Sequence, residues 1–339
     1  MNPSGRQTYG GMKQVLAVSI GLFLVFLDTT IVNIALPDIS KDLRIELGTA
    51  SWIIDAFVVT VSMWLVAFGK IADIFGSFRT YMIGLLIFMT ASLLCGIAPN
   101  VTCLIVFRVL QGIGAVSVIP SSLYLVRSAV PPEKTGTAMG IWGGVGALAI
   151  ALGPSLGGVV TEYLNWRWIF FINIPVVLIS TPLTLLVFKR HKDQRAPFHL
   201  DFPGILTFGA CLFFVTYAIL QGHDAGWGSW RIIVSFALGA IFAVLFLVVE
   251  RRAKYPLIRK EILRNRIFVG GMAANFLSGV LLMGTLILLP VYFTEIKDFD
   301  ILKSSAMITP LSAIMLAVWP VAAVVKGEKI KNGVALHDA

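Results

Sequence analysis

Two ionisable residues stand where such residues are rare. Asp28 falls inside an apolar run that begins near Val15 and closes with Leu27-Asp28-Thr29-Thr30-Ile31-Val32-Asn33-Ile34-Ala35-Leu36-Pro37. A run of that length crosses a bilayer as a helix, which takes roughly 20 apolar residues. Asp28 then sits about 3 Å from the midpoint, at ~1.5 Å of rise per residue. A bare carboxylate there costs on the order of 2.5–3.5 kcal/mol, and protonation removes the charge. Asp28 is therefore a candidate proton carrier, expected to face the bundle interior with access to water. The plain alternative is a buried Asp satisfied by neighbouring hydroxyls and amides. Arg108, in Arg108-Val109-Leu110-Gln111-Gly112-Ile113-Gly114, is the one cation predicted inside a span. It lies about seven residues, ~10 Å, from the outer end of its helix, and Asp28 about nine residues, ~14 Å, from the outer end of its own. Opposite charges at one depth can pair. Pairing favours the charged form of a carboxylate and burial the neutral one. A shift between pairing and separation would tune proton uptake. A static ion pair, or an Arg108 bonded to backbone carbonyls, is the alternative.

The elements that position these residues are apolar helices. The chain has 339 residues, 57% hydrophobic and 13% charged, with a mean hydropathy of +0.87. Soluble domains carry roughly 25% charged residues. The composition describes an all-α, polytopic membrane protein. Ten spans are predicted, at roughly 15–37, 51–69, 80–98, 101–126, 136–160, 167–188, 203–221, 231–249, 267–293 and 304–325. The net charge of +9 invites a nucleic-acid reading. The Lys and Arg, however, lie between the spans, which reflects topology and argues against a nucleic-acid partner. With the N-terminus cytoplasmic, twenty fall in inner segments and six in outer ones, Arg108 completing the 27. This bias orients a multi-pass protein of the cell membrane. Cys95, Cys103 and Cys211 offer neither metal spacing nor a disulfide framework. The first apolar run is too long for a cleavable signal.

The predicted plan is a cytoplasmic tail (1–14), a six-helix bundle (15–188), a cytoplasmic linker (189–202) and two further helices (203–249). A basic cytoplasmic loop (250–266), two helices of a second bundle (267–325) and a tail (326–339) follow. Loop 250–266 reads either as a surface helix on the anionic inner leaflet or as a solvated connector. Gly69-Lys70-Ile71-Ala72-Asp73-Ile74-Phe75-Gly76-Ser77-Phe78-Arg79 reads as a tight turn, with Asp73 able to cap a helix or pair with Arg79. In span five, Gly153 and Gly157 share a face and admit close helix approach. Pro154 bends the same helix, and Gly158 follows. Tight packing alone also accounts for the glycines.

Together these sites resemble the major facilitator superfamily, and more specifically its fourteen-helix drug/proton antiporter branch. Asp28 through Pro37 is similar to the branch's first-helix signature. Gly69, Asp73, Gly76 and Arg79 are similar to the superfamily's loop motif. Arg108, Gln111, Gly112 and Gly114 resemble the fourth-helix motif, and Gly153-Pro154 with Gly157-Gly158 the fifth-helix antiporter motif. Asn165-Trp166-Arg167-Trp168-Ile169-Phe170-Phe171-Ile172-Asn173-Ile174-Pro175 resembles the start of the branch's sixth helix. Trp227-Gly228 and Pro256-Leu257-Ile258 fit two inserted helices and the loop after them. The resemblance implies efflux of lipophilic or cationic compounds in exchange for protons by alternating access, without ATP. Its partners would be a small lipophilic substrate, protons and membrane lipids. Asp28 would couple to the proton, and Arg108 would assist its transfer. Asp73 and Arg79 would belong to a gating latch, and the span-five glycines to a sliding interface.

The sequence departs from the pattern at several points. Ile74, Ser77 and Phe78 stand where the loop motif carries basic residues, and Ala149 replaces a leading glycine. Asp55 falls where the branch has a small hydroxyl residue. It either favours a helix N-terminus or joins Asn33 and Gln111 in lining a substrate cavity. The chain ends after span ten, four helices short of the branch's count, which predicts apolar faces without partners. Rival readings are a truncated, non-transporting remnant and an importer of small solutes. No nucleophile–base constellation, phosphate loop or metal cluster appears, so neither an enzyme nor a cofactor is expected.

Overall fold

The structure is a computed structural model that describes residues 11–188, 201–253, 256–257, 264–297, 299 and 307. The helices are α1 (Met12–Leu43), α2 (Leu47–Phe75), α3 (Ser77–Gly96), α4 (Val101–Ser128), α5 (Thr135–Tyr163), α6 (Trp168–Phe171), α7 (Asn173–Val187), α8 (Phe202–Ala225), α9 (Trp230–Arg252) and α10 (Arg266–Val291). No strand occurs among the described residues. Eight stretches of these residues are long and apolar enough to cross a membrane, α6 and α7 together forming one of them. The ninth predicted span is helical as α10. The tenth apart from residue 307, the two tails beyond residues 11 and 307, most of linker 189–202, and residues 254–255 and 258–263 of loop 250–266 lie outside the described residues.

Two boundaries differ from expectation. The first helix runs through Pro37 to Leu43 and stops at Arg44, whose φ of 53° is left-handed. Pro37 removes one backbone donor on an exposed face, and the bonds on either side carry the helix on. The residues expected in a loop after span two are helical: α2 continues to Phe75, and Gly76 alone separates it from α3. Gly76 has a φ of 100°, which a side chain would strain. Asp73 thus sits in the last turn of α2, beside Lys70.

Helices α1 to α7 form one bundle. Small residues let its members approach closely. A Cβ added at Gly114 on α4 would lie 2.6 Å from the Phe88 backbone nitrogen on α3, and one at Gly157 would lie 3.1 Å from the Ile31 carbonyl on α1. The α8–α9 hairpin docks through α8 onto α2. Ser62 and Thr216 hydroxyls meet at 3.3 Å, and the Trp52 and Tyr217 rings lie 5.8 Å apart.

Candidate functional site

The bundle core is two apolar clusters with a polar layer between them. On α1 the first cluster ends at Val25 and the second begins at Ile31; on α3 the break falls between Phe88 and Cys95, and on α4 between Leu104 and Ala115. Into that gap α1 places Asp28, α3 places Ser92, α4 places Arg108 and Gln111, and α7 places Asn173, each at most 1% exposed.

These side chains form one hydrogen-bonded network. Arg108 Nη1 donates to Asp28 Oδ2 at 2.5 Å and to Gln111 Oε1 at 2.7 Å. Its Nε donates to the Ile53 carbonyl on α2 at 2.9 Å. Gln111 Nε2 donates to Asp28 Oδ1 at 2.8 Å and to Ser92 Oγ at 2.9 Å. Asn173 Nδ2 reaches the same two oxygens at 3.1 and 3.2 Å. The guanidinium also lies 4.3 Å from the Phe57 ring centroid and 5.8 Å from that of Phe170, where the ring faces attract a cation. Removing two charges from water costs several kcal/mol per ion, and attraction offsets this only where geometry is good and remaining groups are bonded. Here Asp28 receives three donors, and Arg108 gives three acceptors a bond through Nε and Nη1.

Matching depths in the sequence had suggested an Asp28–Arg108 pair, and the structure brings the two together. The bond to a backbone carbonyl is present as well, so the alternatives coexist. One expectation needs correction. Asp28 faces the bundle interior but has no exposed surface. Its three donors cover the carboxylate, and the apolar clusters close both sides.

Of the remaining predicted residues, all but Gln111 lie elsewhere. Gln111 belongs to the network. Asn33 is exposed on α1 and donates to the Thr29 carbonyl. Asp55 is buried in the α2–α8 seam, where Gln221 Nε2 donates to its Oδ2 at 3.0 Å. Asp73 and Arg79 are both exposed, and no ion pair joins them. Gly76 takes the N-cap position of α3 without a side-chain cap. A Cβ at Gly69 would meet only the Pro120 side chain, at 3.8 Å. On α5, Gly153 and Gly157 pack against Thr30 and Ile31 of α1, whereas Gly158 faces open space and Pro154 is exposed.

Sequence reasoning missed Ser92, Asn173, Phe57 and the Ile53 carbonyl. Asn173 carried a legible signal, as a polar side chain within an apolar span; Phe57 and a main-chain oxygen carried none. A second polar tie was also missed. Trp166 Nε1 donates to Asp42 Oδ2 at 2.9 Å, Arg167 stands 3.6 Å from the same oxygen, and Arg167 Nη1 donates to the Ala98 carbonyl at 3.3 Å. This tie joins the ends of α1 and α3 to the start of α6. Cys95, Cys103 and Cys211 are free thiols.

Comparison with known proteins places this geometry in a family. The profile of the Major Facilitator Superfamily matches residues 18–200. The tetracenomycin C resistance and export protein of Streptomyces glaucescens is 31% identical over 92% of this chain and 58% of its own length. The multidrug transporter protein MdtP of Bacillus subtilis is 32% identical over 93% of this chain and 58% of its own. The puromycin resistance protein pur8 of Streptomyces alboniger is 33% identical over 89% and 59%. The chain therefore spans a little under three fifths of these relatives. A crystal structure of the peptide transporter POT in complex with sulfate superposes with a TM-score of 0.54 at 18% identity, covering 71% of this chain and 53% of that one; at that identity the likeness concerns fold alone. With the profile over its first six spans and relatives matched along most of its length, this multi-pass membrane chain belongs to the major facilitator superfamily.

Proposed function

We propose that the chain serves proton-coupled efflux of lipophilic or cationic drug-like compounds, by antiport and alternating access. The observation that carries this reading is the Asp28–Arg108 pair, a fully enclosed carboxylate held by three donors at the middle of a six-helix bundle. An intramembrane acid is costly to keep charged and marks a proton route by default. The names of the relatives, resistance and export proteins among them, support drug-like cargo.

In this reading, Asp28 gains a proton when the helices around it part, and Arg108 then holds Gln111 and the Ile53 carbonyl alone. Loss of the ion pair loosens α1 from α4, and re-pairing expels the proton on the other side. The close α1–α5 contact at Gly153 and Gly157 supplies the surface along which α1 shifts. The N-terminus is cytoplasmic, so the tie at Asp42, Trp166 and Arg167 lies on the outer side, and the Gly76 turn on the inner side.

The test is dye efflux from vesicles holding the chain under an imposed pH gradient. Gradient-driven movement of an ethidium-like dye should vanish in Asp28→Asn. Equal movement in the variant removes Asp28 from the coupling. A parent chain that moves no dye under any gradient shows that residues 1–339, which span under three fifths of the relatives' length, do not export by themselves.

A further inference from the structure

Asp28 is surrounded by donors, which suits a carboxylate and leaves a carboxylic acid with a problem. A proton drawn from water forms an O–H bond on Asp28, and that O–H then needs an acceptor in a sealed layer. The acceptors nearby are already engaged. Gln111 Oε1 takes Arg108 Nη1 and the Cys95 thiol, the latter at 3.7 Å. Ser92 Oγ takes both Gln111 Nε2 and Asn173 Nδ2. The Ile53 carbonyl takes Arg108 Nε. The one fully buried oxygen of this network with no hydrogen-bond partner is Asn173 Oδ1. An orphaned buried acceptor costs about 1–3 kcal/mol, and here it belongs to a side chain whose other atom already touches Asp28.

We propose that Asn173 reads the protonation state of Asp28 by turning its amide over. Facing the carboxylate, it donates through Nδ2, as the structure has it. Facing the carboxylic acid, it presents Oδ1 in the same place and accepts the new O–H, while Ser92 changes from acceptor to donor toward it. With both oxygens bare, an amide oxygen aimed at the carboxylate repels it; with the proton on Oδ1, the oxygen that Asn173 faces, two donors aimed at each other bind nothing. The amide is nearly symmetric in shape, so the exchange needs no repacking of its neighbours. Asn173 is the first residue of α7. The switch therefore carries the charge state of α1 to the junction of α6 and α7. Among the described residues, the other ionisable side chains facing Asp28 are Arg108 from α4 and Cys95 from α3; α2 presents a carbonyl and the Phe57 ring, and α5, α6 and α7 bring none to this level. Asn173 acts through Asp28 and is a positioning residue.

This proposal rests on proton uptake by Asp28, and one experiment separates the two. Infrared difference spectra are recorded against pH on the full chain in liposomes, with carbon-13-labelled asparagine. As pH falls, a carboxylic-acid C=O band should appear that is absent in Asp28→Asn. In step with it, the Asn173 side-chain carbonyl band, assigned by its loss in Asn173→Leu, should move to lower wavenumber as its oxygen gains a hydrogen bond. Asn173→Ser assigns the same band if the Leu variant fails to insert. A growing Asp28 band beside an unmoved Asn173 band makes Asn173 a fixed donor and overturns the switch alone. Absence of any Asp28 band overturns the switch together with the proton reading beneath it.

Discussion

Arg108→Leu strands the Asp28 carboxylate, and the size of the effect follows from the network. The substitution removes the contact to Asp28 and the donors to Gln111 Oε1 and the Ile53 carbonyl, leaving Asp28 with Gln111 Nε2 and Asn173 Nδ2. Both charges are at most 1% exposed, so water screens neither. Removing one partner of such a pair costs about 3–5 kcal/mol. Asp28→Leu, which strands the guanidinium, should cost a similar amount. The double variant leaves no charge in the layer, so its cost should fall well below the sum, with a coupling of about 3 kcal/mol. Reversible unfolding of the purified chain in mixed detergent micelles measures all three. The cost of Arg108→Leu should also shrink in acid, where the stranded carboxylate takes a proton and sheds its charge. Costs that add to within about 0.5 kcal/mol, as for independent sites, would refute the argument.

Three further outcomes are expected. Gly153→Ala should cost about 1–3 kcal/mol by overpacking, since its Cβ would overlap the Thr30 side chain, whereas Gly158→Ala, facing open space, should be neutral or gain up to about 1 kcal/mol of helix propensity; the same unfolding assay compares them, and equal losses would contradict the packing described. Gln221→Leu should cost about 1.5 kcal/mol by stripping the donor from Asp55, while a Gln221→Asn substitution that falls short of Asp55 should cost nearly as much; unfolding of the two variants reads this directly. An impermeant maleimide applied from outside intact cells should label Cys103, near the start of α4, and spare the buried Cys95; labelling of Cys103 only in everted membranes would reverse the proposed orientation.

How much of this was legible in the sequence depended on the kind of signal. Hydropathy marked the spans because a bilayer tolerates little else, and counting residues from the span ends put Asp28 and Arg108 at one level. Helix length past Pro37 was not legible, because a proline on an exposed face ends a pattern without ending the backbone ladder. The loop after span two misled for a related reason: polar residues at a membrane boundary look like a turn, whereas only Gly76 is one. Asn173 was visible as a polar side chain within an apolar span, but like Ser92 it carries no charge, so nothing in the sequence named its partner. The Ile53 carbonyl belongs to every residue alike, and no side-chain pattern can announce it. The partner of Asp55 was not legible, because Gln221 lies on a distant helix that only folding brings alongside.

The two apolar slabs above and below the charge layer have a kinetic consequence. Under the proposed coupling, a hydronium ion can wait at the door in any number, yet it enters only when the slabs part. Turnover should then climb with acidity at first and level off at a ceiling, set by how often the helices breathe. Substitutions that loosen the slabs, far from either charge, would raise that ceiling while loosening the bookkeeping between cargo and proton.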